Sequence, residues 1–420
     1  MDVIGLRREF HQYPELAFRE FRTAGRVVEL LQSLGYEVLC GEAAMEPSVR
    51  KSLPAAEEME AAYQSALAAG ANPAVLEKMR GGLTAVVASL RGKEPGPVVA
   101  FRFDMDALPV RESEDPEHPP LAQGFRSQWE GKMHACGHDG HTAIGLALAR
   151  EMATGDFAGT LKLIFQPAEE GVCGGALSIV HKGLVDDVDY IFCLHLMANM
   201  ELGEVYAATR YLASSKIEVE FFGTPAHAGG APEKGRNALL GAATALLNIH
   251  AIPPYPGQEV RINVGVIQGG TAANIIPDYA KLILETRAKS GEVNSELFQR
   301  VERVVQGSAQ IHGLQYQLKL MGEAATCEAD PPLVALVMEE ARQAGFSRIH
   351  ERYDASVSED GPYLIQRVQQ RGGQGTFMSV GTGTTEAHHT TRFDIREESL
   401  PLTVGLLSRM ARRILKPEAP

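Results

Sequence analysis

The sequence predicts an α/β protein with a mainly parallel sheet, interrupted by an inserted domain of different rhythm. Three observations carry that expectation. Short apolar runs alternate with helical patterns through the first half; residues 212–321 switch to a β-α-β-β-α-β order; and residues 322–420 return to helices around one apolar run. The expected division is a first domain of residues 1–211 and 322–420, with a ferredoxin-like domain of residues 212–321 inserted in it. A chain of 420 residues also exceeds what one ordinary core holds.

The elements follow in order. Apolar residues recur at helical spacing from Leu6 to Leu34, and Gly35 is a typical stop. Thr84–Leu90, Val98–Phe103, Leu161–Phe165 and Tyr190–Leu194 read as buried strands, being short apolar runs rich in β-branched and aromatic residues. Helices are expected over Thr142–Met152 and Gly174–Lys182, and strands separated by helices imply parallel pairing. In the insert, Lys216–Phe222 alternates like a half-exposed strand and Gly235–His250 reads as a helix. Arg261–Ile267 and Lys281–Arg287 are further strands, Glu292–Ile311 is a helix and Gln315–Leu320 closes the set, with one sheet face solvated. Thr376–Val380 is the apolar strand of the last stretch. Residues 42–80 are polar and Ala/Glu-rich, and Ala55–Ala69 has helix-forming composition, so this segment reads as a surface excursion.

Composition narrows the function classes. With 45% hydrophobic and 22% charged residues the chain reads as an ordinary soluble protein. No apolar run approaches the roughly 18 residues of a membrane span. The first residues lack a basic region followed by an apolar stretch, so no secretory signal is expected. Five scattered cysteines argue for a reducing compartment, the cytoplasm by default, over a disulfide framework. A net charge of −13 without a Lys/Arg block argues against a nucleic-acid partner. An anionic small substrate would need local cationic groups.

The chemistry concentrates in His134-Ala-Cys136-Gly-His138-Asp139-Gly-His141, which packs a thiol, three imidazoles and a carboxylate together. Cys136 and His138 converge only if the backbone bends at Gly137, which glycine permits. A thiolate beside imidazole suits Zn²⁺, Mn²⁺ or Co²⁺ better than Mg²⁺ or Ca²⁺. The alternative is a His-rich helix start capped by Asp139. Four strand ends add metal-type groups: Asp104 and Asp106, which alternation points to one face, then Glu169/Glu170, His195, and His388/His389. Taken singly, these are more simply a solvated acidic turn, a capping pair or a hydrogen-bonded core histidine. Taken together, they define one rim.

The segments Asp104-Met-Asp106-Ala-Leu, His134–His141, Gln166-Pro-Ala-Glu169-Glu170-Gly, Gly223-Thr-Pro-Ala-His227-Ala, Asn274-Ile-Ile-Pro277 and His388-His389 resemble those of the aminoacylase/carboxypeptidase-type family of two-metal amidohydrolases. That family includes hippurate hydrolases, N-acetyl amino-acid deacetylases and auxin-conjugate hydrolases, and the resemblance spans nearly the whole chain. The Glu42–Arg80 excursion resembles the one that marks its aminobenzoyl-glutamate group. The resemblance implies a metallohydrolase domain with an inserted dimerisation or lid domain. It implies two divalent cations, Mn²⁺ or Zn²⁺, held by Cys136, His138, Glu170, His195 and His389. Asp106 would orient the metal-bound groups and Glu169 would be the general base. His227 would donate to the oxyanion from the insert, reaching the neighbouring subunit's site. Asn274 and Arg287 would take a substrate carboxylate.

His389 is preferred over His388 because its spacing to Phe393-Asp394 fits the family pattern. Thr390-Thr391 departs from the Asn-Pro or Ser-Pro common there. His134 and His141 are not carried over as ligands. The implied substrate is a small anionic acyl-amino acid, p-aminobenzoyl-glutamate first and broader N-acyl or N-benzoyl amino acids such as hippurate second. The implied assembly is a homodimer, or a heterodimer with a homologous subunit that activity could require.

Overall fold

In the computed structural model, which describes residues 2–253 and 255–416, an eight-stranded mixed sheet carries the first of two units. Strands are numbered along the whole chain. Those of this sheet are β1 (Glu37–Cys40), β2 (Val86–Arg91), β3 (Glu94–Asp104), β4 (Ala158–Gln166), β5 (Tyr190–Met197), β6 (Glu204–Arg210), β13 (Arg348–Asp354) and β14 (Gln374–Gly381). Their spatial order is β1-β2-β4-β3-β5-β14-β6-β13. The four central strands β4-β3-β5-β14 are mutually parallel. Antiparallel pairs β1-β2 and β2-β4 extend one side, and β6, antiparallel to β14 and parallel to β13, extends the other. The unit contains residues up to Arg210, Cys327–Ala355 and the chain from Asp360 on.

The helix His138–Met152 is the most deeply placed; nearly every residue on it is buried. It begins four residues before the expected Thr142, so the chemistry-bearing motif forms its first turn. The stretch Leu6–Leu34 is two helices, Val3–Gln12 and Phe21–Ser33, rather than one. Pro14 explains the break, because its ring excludes the residue before it from helical conformation. The intervening loop carries Glu15 and Glu20, both buried. The excursion contains the helix Ala56–Ala68, close to expectation. It is no loose surface loop, however, since Tyr63, Ala66, Leu76 and Met79 join the main core. Strands β1, β6 and β13 have no counterpart among the expected elements. They flank the sheet centre, and β13, with the sequence Arg-Ile-His-Glu-Arg-Tyr-Asp, carries little apolar signal to read.

The second unit comprises Tyr211–Thr326 and Ser356–Glu359. Its strands are β7 (Ala213–Phe222), β9 (Val260–Gly269), β11 (Tyr279–Ala288) and β12 (Gln315–Ala324), with a two-residue pair β8 (Ala226–His227) and β10 (Ile275–Ile276). The order β12-β7-β11-β9, antiparallel throughout, is the ferredoxin-like arrangement. Helices Ala238–His250 and Gly291–His312 close its core with Ile217, Val219, Phe221, Leu282, Val301 and Val305. The α/β class, the mainly parallel sheet and the βαββαβ insert thus stand as expected. Among the described residues no helix is long and apolar enough to cross a membrane.

Packing between the long buried helix and the sheet is close enough to be tested. A Cβ on Gly145 would lie 2.6 Å from the Phe103 ring and 2.8 Å from that of Phe165. Gly145→Ala is therefore expected to cost about 1–3 kcal/mol through overpacking, read as a lower thermal midpoint. Gly405→Ala, whose Cβ meets nothing within 4 Å, should instead hold or raise the midpoint, as helix propensity favours alanine by about 1 kcal/mol.

Candidate metal centre

The four parallel strands end at one edge of the sheet, and that edge collects the polar residues. Strand β3 ends at Asp104 and leads to Asp106; β4 ends at Gln166 and leads to Glu169 and Glu170. His195 lies within β5 rather than just after it, and the loop beyond β14 carries His388 and His389. Gly137, at φ 87°, makes the left-handed turn that joins Cys136 to the helix start at His138. That start has no side-chain cap, so Asp139 is not the capping residue considered above.

Three groups of potential ligand atoms lie within 4.8 Å of one another: Cys136, His138 and His195; Cys136, Glu170 and His389; and His138, Glu169 and Glu170. All five residues expected as ligands are therefore brought together, and Cys136 belongs to two of the groups. Ring tautomers follow from the hydrogen bonds. His138 Nδ1 donates to the Asp106 carbonyl at 2.8 Å and His195 Nδ1 to the Leu196 carbonyl at 2.9 Å, leaving each Nε2 lone pair available. His195 Nε2 lies 3.5 Å from Cys136 Sγ. His138 Nε2 and Glu170 Oε1 are buried without a hydrogen-bond partner among the described residues, although Glu170 Oε1 is 3.4 Å from His389 Nε2. Orphaned buried lone pairs beside a thiol are what a divalent cation would satisfy. The residues fit the metal.

Neighbouring histidines differ in this respect. Asp104, His138 and His141 also cluster, but both His141 nitrogens are engaged: Nδ1 with Asp104 at 3.1 Å, and Nε2 accepting from Leu196 N–H at 3.0 Å. His388 Nε2 accepts from Ala198 N–H at 2.8 Å, so its Nδ1–H faces Cys136 Sγ at 3.7 Å. His134 is buried with neither ring nitrogen hydrogen-bonded among the described residues, and burial pushes its pKa down to about 3.

Burial also disfavours charge on His138, but Asp106, Asp104 and Glu170 outweigh it and raise its pKa to about 10. Without a cation, His138 Nε2 therefore carries a proton, and the positive charge the carboxylates favour there is one a bound metal would supply in the proton's place. Burial and neighbouring imidazoles hold His195 well below the usual range and bring His388 down to about 4. Both are neutral at physiological pH, the form in which imidazole binds metal.

Buried groups behind the candidate ligands hold the rim. Asp106 does so through the loop: its two oxygens accept from Glu169 N–H at 3.2 Å and Glu170 N–H at 2.9 Å. Arg102, wholly buried, pairs with Asp104 at 2.5 Å and binds Gln166 and Asp360. Arg7 and His11, one turn apart on the helix Val3–Gln12, both engage Asp139, at 2.7 and 2.8 Å. Arg7 also pairs with Asp394, and His11 Nε2 reaches Glu112 at 2.9 Å. Four-residue spacing puts Arg7 and His11 on one helix face, a signal open to a reader who asked which partners a buried Asp139 would need.

Within the insert, His227 on β8 pairs in register with Ile275 on β10, which sets Asn274 beside it; Ala228 N–H donates to the Asn274 carbonyl at 3.0 Å. His227 Nδ1 accepts from Gly229 and Gly230 N–H at 3.1 and 3.0 Å, so the proton sits on the exposed Nε2. Arg287 lies apart from them. It is at the far end of β11, eight residues beyond Tyr279, and its guanidinium is forked onto Glu285 at 3.0 Å.

The peptidase family M20/M25/M40 pattern matches residues 100–413. The chain belongs to that family. It is 42% identical over 410 residues to a p-aminobenzoyl-glutamate hydrolase subunit of Escherichia coli (strain K12), covering 96% of this chain and 94% of that one. It is 41% identical, with the same coverages, to indole-3-acetyl-aspartic acid hydrolase of Enterobacter agglomerans. The crystal structure of an aminobenzoyl-glutamate utilization protein from Klebsiella pneumoniae superposes with a TM-score of 0.84 at 37% identity, covering 98% and 95% of the two chains. This M20 protein is a metal-dependent amide hydrolase, its candidate ligands suited to divalent cations.

The buried relay behind the site has a pH signature. Burial and Arg7 oppose a charge on His11, yet Asp139 and Glu112 hold its pKa up at about 9. A group raised above its unfolded value of about 6.5 stabilises fully below that pH and loses the contribution as pH rises through the folded value. Burial raises Glu112, but bonds from His11 and His118 bring it to about 2, so it stays ionised across this window. The parent's advantage over His11→Gln should therefore be full below about pH 6.5 and shrink through about pH 9. Thermal midpoints of both proteins across that range check it; a constant difference would contradict it.

Proposed function

We propose that this M20 hydrolase cleaves the amide bond between an aromatic acyl group and an acidic amino acid, with p-aminobenzoyl-glutamate as substrate and p-aminobenzoate and glutamate as products. The observation that carries the reading is the convergence of one thiol, three imidazoles and a carboxylate beside Glu169. Cys136, His138, Glu170, His195 and His389 would hold two divalent cations, Mn²⁺ or Zn²⁺. When bound, the cations would lower the pKa of water toward neutrality and polarise the scissile carbonyl.

The protein's own groups do the rest. Glu169 takes the proton of the attacking water and returns it to the leaving nitrogen, which cannot depart as an amide anion. Asp106 orients this step from behind, one oxygen on each peptide of the Glu169-Glu170 pair and its carbonyl on His138 Nδ1. His227, with its proton on Nε2, is the donor assigned to the tetrahedral oxyanion. Asn274 is assigned to the substrate carboxylate. Arg287 would join it only by releasing Glu285.

A second substrate reading rests on a specific observation. The indole-3-acetyl-aspartic acid hydrolase is as similar as the aminobenzoyl-glutamate one, and both names describe an aromatic acyl group on an acidic amino acid. Broader N-acyl amino-acid hydrolysis of the hippurate type is the remaining alternative. A partner, identical or homologous, is supported by the Escherichia coli relative, which is named as one subunit of its enzyme. It is supported also by exposed Leu240 and Leu247 on one helix of the insert and Ile267 on its edge strand β9. Five free cysteines fit a cytoplasmic setting.

Purified protein assayed on p-aminobenzoyl-glutamate, indole-3-acetyl-aspartate, hippurate and N-acetyl amino acids separates these readings. A preference for hippurate of about tenfold or more in kcat/KM would defeat the first. Sedimentation and activity with and without a homologous partner test the assembly. Glu169→Gln should lower kcat by about 10³-fold while elemental analysis still finds the parental metal content. His195→Ala should lose metal, and a chelator should abolish parental activity.

A further inference from the structure

Three consecutive peptide N–H groups, those of Ala168, Glu169 and Glu170, are held by two carboxylates. Asp106 takes the second and third, as described; Glu20 Oε1 takes the first, at 2.9 Å. The same Glu20 oxygen accepts from Phe18 N–H at 3.0 Å, and its other oxygen accepts from the Thr84 hydroxyl at 2.6 Å. Glu20 thus ties the N-terminal loop, the approach to β2 and the loop after β4 at one point.

The backbone explains why such a tie is needed. Ala168 has φ 55° and Phe18 has φ 60°, left-handed conformations that cost a residue with a Cβ about 1–2 kcal/mol. Both strained residues place their N–H on Glu20. Glu20 itself is wholly buried and makes no ion pair among the described residues. Burial and the neighbouring Asp106 raise its carboxyl pKa to about 8. A buried acid without a cation is destabilising, so its presence calls for a compensating role.

We propose that Glu20 is a positioning residue for the hydrolytic step: it locks Ala168 in the left-handed conformation and thereby aims Glu169 at the reacting water. This deepens the proposed function and rests on the reading of Glu169 as general base. Without the tie, the Pro167–Ala168 peptide is released, Ala168 relaxes toward the ordinary right-handed or extended regions, and the Glu169 carboxylate swings from its working position. The shorter Asp106 contact, to Glu170 N–H at 2.9 Å, remains, so Glu170 keeps its place and metal binding is retained, whereas the longer one, to Glu169 N–H at 3.2 Å, yields with Ala168.

The test uses the full chain with its metals, well below its thermal midpoint. Glu20→Ala is expected to lower kcat by about 100-fold, the scale of a 1 Å misplacement, with KM within about threefold and metal content unchanged. Glu20→Asp, which withdraws the carboxylate by about 1.5 Å, should give the same split and carries the test if the alanine variant does not fold. Glu20→Gln keeps an acceptor for both N–H groups and reverses the Thr84 contact, its amide donating to the Thr84 oxygen, and should recover kcat to within about fivefold of the parent. Adding Ala168→Gly to Glu20→Ala or Glu20→Asp should restore about tenfold, because glycine adopts φ 55° without the Cβ penalty; a purely stabilising role for Glu20 would show no such rescue. Parental kcat in the alanine or aspartate variant, a loss confined to KM, or no rescue by glycine would overturn the inference. The base reading fails separately, if Glu169→Gln turns over near the parental rate.

Discussion

The rest of this molecule is organised around a concentration of buried carboxylates at one edge of a parallel sheet. Asp104, Asp106, Glu20, Glu169 and Asp139 are all nearly or wholly buried there. Acids so placed must be neutralised, hydrogen-bonded or paired, since an unpaired buried charge costs several kcal/mol. Asp104, Asp139, Asp106 and Glu20 are met differently. Arg102 answers Asp104, Arg7 and His11 answer Asp139, and three peptide N–H groups answer Asp106 and Glu20. At the front of the group, His138 Nε2 and Glu170 Oε1 have no hydrogen bond among the described residues. The fold neutralises the other faces and leaves that one for a cation.

The same constraint explains where backbone strain sits. Ala168, Val172 and His389 are three of the six non-glycine residues at positive φ among the described ones, and all lie on the two loops that carry Glu169, Glu170 and His389. Strained loops hold their shape only when neighbours over-determine them. Carboxylates fasten the first loop. The second is fastened by His389 N–H on the Ala135 carbonyl at 2.8 Å and by Asp394, further along, paired with Arg7. An N-terminal helix therefore grips both the motif around Cys136 and the C-terminal loop. Residues far apart in sequence become mutually dependent through one guanidinium.

Much of this was legible in the sequence, and the reasons differ by element. Central strands such as Val98–Phe103 and Tyr190–Leu194 are buried on both faces, so hydrophobic runs mark them directly. The flanking strands β6 and β13 carry half-polar alternation that a charged surface loop also shows, and they went unread. Strand alternation placed Asp104 and Asp106 on one face, but β3 ends at Asp104 and the two acids do different work. Arg287 was given to a substrate carboxylate by the resemblance, and the structure instead forks it onto Glu285, two positions away on the same strand face. The ligand set was legible only through the family pattern; no residue in it stands out alone. Glu20 was invisible, because nothing local to it names Ala168, on a loop far along the chain, as its partner.

Cys136 shows how far the two layers of the site depend on each other. Its sulfur is 3.5 Å from His195 Nε2, a lone pair, and 3.7 Å from His388 Nδ1, which carries a proton because Ala198 N–H occupies the other nitrogen. One imidazole can thus share a cation with the sulfur while the other donates to it. A hydrogen bond to sulfur lowers the charge it would present to a cation. His388 and His389, adjacent in sequence, therefore take opposite parts: His389 turns outward at φ 65° toward Glu170, and His388 turns inward to the sulfur. The doublet becomes, in three dimensions, a candidate ligand and its support.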